Sequence, residues 1–256
     1  MKHAKHLVGN PQSSAIPVRL NKVIAQRTGI ARRKVDVLID TGRVSINGKV
    51  VRVLGTKVSP LSDVISVDGK ELSSQTEAPV VYRFYKPKGV VSTMQDEQNR
   101  PAIRMFIPES PAVFPVGRLD RTSEGLLILT NDGDIALRLS HPRYRKNKIY
   151  SVWIHKLRSY SLAKIIADLQ SKYLVAGSLR SFDEVQYRGI DEIGIKFDVT
   201  LHEGVYHEVK RLIDRAGYTV ARLVRIQQGT LSLGSLEPGQ FERLSDQEYN
   251  QLRLNI

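Results

Sequence analysis

Gly117-Arg118-Leu119-Asp120-Arg121-Thr122-Ser123-Glu124-Gly125-Leu126-Leu127-Ile128-Leu129-Thr130-Asn131-Asp132-Gly133 sets one carboxylate between two arginines, directly ahead of a turn and an apolar run. Leu126 to Leu129 has the continuous apolarity of a buried strand. An aspartate at the lip of such a strand is held still and partly shielded from water, as a nucleophile or general base must be. The competing structural reading is that Asp120 hydrogen-bonds the Thr122-Ser123-Glu124-Gly125 turn. Asn131-Asp132-Gly133 reads as the cap of a short helix through Leu139, which stops at His141-Pro142.

Around this stretch the pattern is of strands mixed with a few helices, without regular βα alternation, so an α+β domain with a mainly antiparallel sheet is expected. Val80 to Phe84 reads as a strand closed by Lys86-Pro87-Lys88-Gly89, and Val113 to Leu119 as a strand leading into the aspartate. Ile149 to Ile154, Ile193 to Leu201 and Val220 to Ile226 are further strands. Helices are expected around Leu162 to Leu169, from Tyr206 to Ala216 ahead of Gly217, and around Glu248 to Leu252.

Upstream the texture changes. Leu20, Val23 and Ile24 recur at helical spacing before Gly29, and Val35, Leu38 and Ile39 before Gly42. Strands at Val44 to Ile46 and Val50 to Val53 flank Asn47-Gly48, and Val64 to Val67 turns at Asp68-Gly69. The boundaries read as a disordered basic tail over 1–16, a small helix-pair-plus-sheet domain over 17–72, a linker over 73–79 and a larger domain over 80–256.

The formal net charge of +13 calls for a polyanionic partner. Eleven Lys/Arg against five Asp/Glu lie between Pro17 and Leu72. Arg32-Arg33-Lys34 opens the second helix, with Arg27 and Arg43 to either side, an arrangement that turns guanidinium groups and helix N–H groups toward phosphates. No apolar run approaches the roughly 18 residues that span a bilayer, and no amphipathic helix with bulky anchors accompanies the charge. A nucleic-acid partner, no membrane, and a soluble cytoplasmic protein are expected. With no cysteine in the chain, chemistry falls to oxygen and nitrogen groups. His3 and His6 form no metal-ligand spacing.

The succession Arg19 to Lys22, Arg32-Arg33, and Leu38 to Gly48 resembles the small RNA-binding domain named after ribosomal small-subunit protein four. With that module in front, the aspartate stretch resembles the signature of the RsuA family of ribosomal-RNA pseudouridine synthases. Tyr85 to Thr93 is similar to that family's first strand and turn, Lys148-Ile149-Tyr150 to its tyrosine motif, and Glu203 to Arg211 to its basic motif. The four occur in family order over most of the larger domain.

The resemblance implies that uracil is detached from its ribose, turned, and rejoined through carbon, with neither metal nor organic cofactor. It implies Asp120 as the essential carboxylate, Tyr150 stacking on the base and helping proton removal from the ring, and Lys210 as the charge that keeps Asp120 ionised. From the residues alone, Tyr150 reads as a core strand aromatic, and Lys210 as the solvent face of a helix whose Val209, Leu212 and Ile213 turn inward; their place in the motifs reverses both readings. Arg118, two residues before Asp120 and so on the same face of a strand, is placed to fill the gap left by a flipped uridine. Arg121 and Lys86 are expected to contact the substrate, and Arg32, Arg33, Lys34 and Arg43 to dock the RNA. His207 reads as a local hydrogen-bonder.

Ribosomal RNA or an assembly intermediate is the expected partner and a monomer the expected state. The large subunit is favoured, with the small subunit as the alternative. Two rivals stay open: a non-catalytic RNA-binding or assembly factor, and a glycosidase pairing Asp120 with Glu124 as acid.

Overall fold

The computed structural model describes residues 17–74, 78–94, 96–107, 111–156 and 159–256. The expected tail over 1–16 and most of the expected linker's centre, 75–77, lie outside them. Contacts divide the chain into two compact units, one ending at Ala78 and one beginning at Pro79.

The first unit runs β1 (Val18–Arg19), α1 (Leu20–Thr28), α2 (Arg32–Asp40), β2 (Val44–Ile46), β3 (Lys49–Val51), β4 (Lys57–Val58), β5 (Ile65–Val67) and β6 (Lys70–Glu71). Leu20, Val23 and Ile24 of α1 meet Val35 and Ile39 of α2 over Val44, Val58 and Ile65 of the strands. Gly29 ends α1 in the left-handed conformation, its N–H bonded to the Ala25 carbonyl. The hairpins turn at Asn47-Gly48 and Asp68-Gly69, all four residues at positive φ, the geometry that type I′ turns require.

The second unit is built on β7 (Val81–Lys86), β8 (Phe114–Pro115), β9 (Glu124–Thr130), α3 (Gly133–Ser140), β10 (Lys148–Ile154), α4 (Leu162–Gln170), β11 (Tyr173–Val175), β12 (Ser178–Arg180), β13 (Glu184–Ile190), β14 (Ile195–Leu201), α5 (Glu208–Arg215), β15 (Val220–Gln228), β16 (Leu231–Ser232), β17 (Phe241–Arg243) and α6 (Asp246–Asn255). Its main sheet has the order β13-β14-β10-β15-β9-β7-β17, with β8 and β16 as side pairings. All its pairings are antiparallel except β9 with β15.

Both faces of the centre are covered, which is why β9 is apolar without alternation. Leu127 and Leu129 join Val152, Phe197 and the α4 and α5 residues Ile165, Leu169, Leu212 and Ile213. Leu126 and Ile128 face the other way, onto Ile135 and Leu139 of α3 and Leu252 of α6. Asp132 caps α3 through its carboxylate, taking the N–H groups of Asp134 at 2.9 Å and Ile135 at 3.2 Å. No helix among the described residues is long and apolar enough to cross a membrane.

Two expectations are corrected. The segment from Val113 to Leu119 forms a strand only at Phe114–Pro115; beyond it Gly117, at φ 76°, turns the chain into an irregular loop. Arg118 and Asp120 therefore share no strand face. The helix expected from Tyr206 starts at Glu208, because His207 adopts the left-handed conformation at φ 57°. The edge strands β13 and β17 and the β11–β12 hairpin carry too little periodic apolarity to stand out in sequence: β13 buries only Val185, and β17 is exposed throughout.

Candidate active site

Asp120 sits in a loop pinned from beneath by the turn that follows β7. Ser92 Oγ donates to the Leu119 carbonyl at 2.7 Å and accepts the Leu119 N–H at 3.0 Å, clamping the residue before the aspartate on both sides. The Gly89 N–H donates to the Arg121 carbonyl at 2.7 Å, clamping the residue after it. The short turn closing onto β9 is made by the main chain, Ser123 N–H to Asp120 carbonyl at 3.0 Å. The turn is real, but its main-chain bond leaves the Asp120 carboxylate available for another partner.

That partner is His207, whose Nε2 lies 3.1 Å from Asp120 Oδ1. The histidine was expected to bond only locally; its contact with Asp120 arises because α5 packs with its N-terminal end at the aspartate loop. Lys210, one turn further along α5, donates its amine to Thr122 Oγ1 in the same loop. Burial pushes the Lys210 ammonium below its ordinary range, the Asp120 charge draws it back up, and Lys88 adds to the lowering. The positive end of the α5 dipole adds to the field at the carboxylate.

A cavity of about 820 Å³ opens here, lined by Asp120, Tyr150, His207 and Lys210 and by the cations Arg100, Arg118, Arg121, Lys148 and Arg225. Its volume suits a nucleotide-sized ligand. Tyr150, on β10 between Val199 of β14 and Arg225 of β15, is only 9% exposed; it is both a core aromatic and part of the cavity wall. Arg118 and Arg121 are exposed and line the same cavity, although Arg118 arrives there by a turn and not by strand alternation.

Arg225 was missed from sequence, where it reads as one more residue of a strand. It is 2% exposed and donates Nε to the Leu126 carbonyl at 2.7 Å. Its approach explains Gly125: at φ 104°, a Cβ there would lie 2.4 Å from the Arg225 carbonyl oxygen, so only glycine lets β9 and β15 run side by side.

The expectation that Lys86 contacts substrate is corrected. Its side chain is fully buried, and its amine donates to the Pro87 and Val90 carbonyls at 2.8 Å each. It holds the very turn that clamps Leu119 and Arg121. Burial lowers its pKa to about 8, against the pull of Glu124 and Asp120, with Lys210 and Arg225 adding to the lowering.

Glu124, the acid a glycosidase would need, accepts Arg222 Nε at 2.8 Å and Tyr85 Oη at 3.2 Å and is not among the cavity-lining residues. In the first unit Arg32, Arg33 and Lys34 stand exposed at the start of α2, whose first turn has no acidic residue. Arg32 donates to Asn21 Oδ1 at 3.0 Å. Arg43 is held by both oxygens of Asp68, each at 2.6 Å, so any phosphate must compete with that carboxylate.

The RNA pseudouridylate synthase family profile matches residues 80–215, and that of the S4 domain residues 18–65. A protein of Aquifex aeolicus described as an uncharacterized RNA pseudouridine synthase is 38% identical over 240 residues, covering 92% of this chain and 93% of its own length. The ribosomal large subunit pseudouridine synthase B of Bacillus subtilis is 35% identical over 244 residues, covering 92% and 95%. A solved pseudouridylate synthase superposes with a TM-score of 0.61 at 28% identity, over 92% of this chain and 99% of its own. The chain belongs to the RNA pseudouridylate synthase family, with an S4 RNA-binding domain ahead of the catalytic one.

Proposed function

We propose that this enzyme converts a uridine of large-subunit ribosomal RNA to pseudouridine, with Asp120 as the reacting carboxylate. The observation that carries the reading is Asp120 clamped at Leu119 and Arg121 on the wall of a cavity that also contains Tyr150, Lys210 and a surplus of cations. The reaction breaks the N1–C1′ bond, forms C5–C1′, releases the proton from C5 and returns one to N1. The Asp120 carboxylate, beside Lys210 and His207, meets the positive character that develops at the sugar or the base. Tyr150 supplies a ring face for the uracil and an oxygen near C5 for the departing proton.

Arg118 occupies the space the flipped uridine vacates, and Arg121 holds a flanking phosphate. Arg32, Arg33 and Lys34 dock folded RNA by its backbone, with Arg43 joining them only by giving up part of its Asp68 pair. Acting on ribosomal RNA, the enzyme works in the cytoplasm. A non-catalytic assembly factor would have no use for a carboxylate so closely held among charges.

The test is tritium release from unmodified ribosomal RNA labelled at C5 of uracil, run separately on large- and small-subunit transcripts. Release from the large-subunit transcript by the wild type and none by Asp120→Ala is the expected result. Equal release by the variant overturns the role of Asp120, and release confined to the small-subunit transcript overturns the choice of substrate.

A further inference from the structure

Tyr206 stands at the cavity wall two residues ahead of α5 and has no part in the chemistry above. Its ring stacks on that of His207, with centroids 3.8 Å apart and planes 18° from parallel. Yet Tyr206 is 67% exposed. With one face on the imidazole, the exposure belongs to the other face and the edge, so an aromatic surface is left open to solvent beside a cationic cavity.

The segment that presents it is rigid. Arg180 bridges Glu203 at 2.7 Å and Glu208 at 3.0 Å. Glu208 also accepts the Val205 N–H at 2.9 Å, and Lys148 donates to the Glu203 carbonyl at 3.2 Å. His207, held in the left-handed conformation, is fixed in turn by Asp120. Four polar contacts from three other parts of the chain therefore orient a tyrosine whose side chain makes no hydrogen bond among the described residues. A flat ring held beside cations is the arrangement that receives a nucleobase, the ring taking the base and the cations the backbone.

We propose that the open face of Tyr206 stacks on the base of a nucleotide next to the target uridine, making Tyr206 a substrate-positioning residue that holds the RNA strand at the cavity. The proposal rests on the pseudouridine synthase reading and refines its substrate. Tyr150 lines the interior and serves the target base; Tyr206, at the exposed wall, serves a neighbour that remains outside.

The experiment is steady-state tritium release from C5-labelled, unmodified large-subunit ribosomal RNA by the full-length chain, comparing wild type with Tyr206→Ala, Tyr206→Leu and Tyr206→Trp. Alanine and leucine should each raise KM by about tenfold with kcat within about twofold, and tryptophan should restore the wild-type KM. The salt dependence of KM should be unchanged in all of them, because a stacked base releases no counterions. An unaltered KM in the alanine variant overturns the proposal, and so does full activity with leucine, which keeps bulk but no π face. A fall in kcat with KM unchanged also overturns it, assigning Tyr206 to the reacting base or to the support of His207. If the wild type itself releases no tritium, the functional reading fails and not the platform alone.

Discussion

The two units use the same residue types, lysine and arginine, to opposite physical ends. In the first, Arg32, Arg33 and Lys34 project from the start of α2, exposed to solvent, where their charge is screened by salt and acts on whatever approaches. In the second, Lys86 is 0% and Arg225 2% exposed; Lys86 holds the turn beneath the aspartate loop and Arg225 bonds the Leu126 carbonyl of β9. A surface cation contributes little until a polyanion arrives; a buried one shapes the site permanently and costs desolvation to keep there. On the proposed roles, RNA docking falls to exposed cations and support of the aspartate loop to buried ones, so variants in the two classes should differ in kind.

The largest effect is expected at the carboxylate itself. Asp120→Asn should lower tritium release by on the order of a thousandfold or more while RNA affinity, read by filter binding, stays near wild type. A comparable loss of affinity would erase the distinction between the units. Lys210→Met should cost roughly a hundredfold in kcat, and Lys210→Arg should recover part of it, which single-turnover assays at saturating RNA would reveal.

Gly125→Ala probes the framework beneath both. With a Cβ forced to 2.4 Å from the Arg225 carbonyl, the folded state should lose about 2 kcal/mol or more, seen as a lower urea midpoint.

The triple variant Arg32→Ala, Arg33→Ala, Lys34→Ala should behave in the contrary way. RNA affinity at low salt should fall about tenfold and the log–log salt slope should shrink by up to about three. Stability should rise slightly, because three cations leave the positive end of a helix dipole. Thermal melting and salt-titrated binding on the same samples would show whether the two signs diverge.

The smallest effect concerns pH. Lys86 holds its proton less tightly when folded, with a pKa of about 8 against an ordinary 10.5. Below that lower value both states carry the proton, and the buried charge is a constant cost to the fold. Between the two values the unfolded chain binds more protons than the folded one, so this group's contribution to stability rises with pH. The difference in unfolding free energy between wild type and Lys86→Met, followed from about pH 7 to about pH 10.5, should change in the wild type's favour across that window. A flat difference would mean that Lys86 is not titrating as a buried amine.

Much of this was readable before any coordinates. The glycine-ended helix pair, the Asn47-Gly48 and Asp68-Gly69 turns, the Asp132 cap and the buried β9 all depend on local rules: positive φ, capping, and apolar runs. Asp120, Tyr150 and Lys210 were legible through motif order, and the structure does bring them to one cavity. The edge strands were not legible, because a strand with one neighbour and one open side needs little apolar residue to exist. Lys86 was misread for a related reason. A lysine in a turn motif is ordinarily solvated, and only the fold reveals that its amine is enclosed by the carbonyls it holds.

By itself the sequence determined that a basic helix-pair module precedes a mixed-sheet domain, and that a single aspartate lies at the mouth of a buried strand. Only the tertiary structure decided what surrounds that aspartate. His207 reaches it because α5 packs its N-terminal end there, Arg225 lines the same cavity because β15 runs parallel to β9 at Gly125, and Ser92 and Gly89 clamp its two neighbours because Lys86 gathers their turn beneath it. Each of these contacts joins residues far apart in the chain, and a local pattern carries no record of which distant surface it will be packed against.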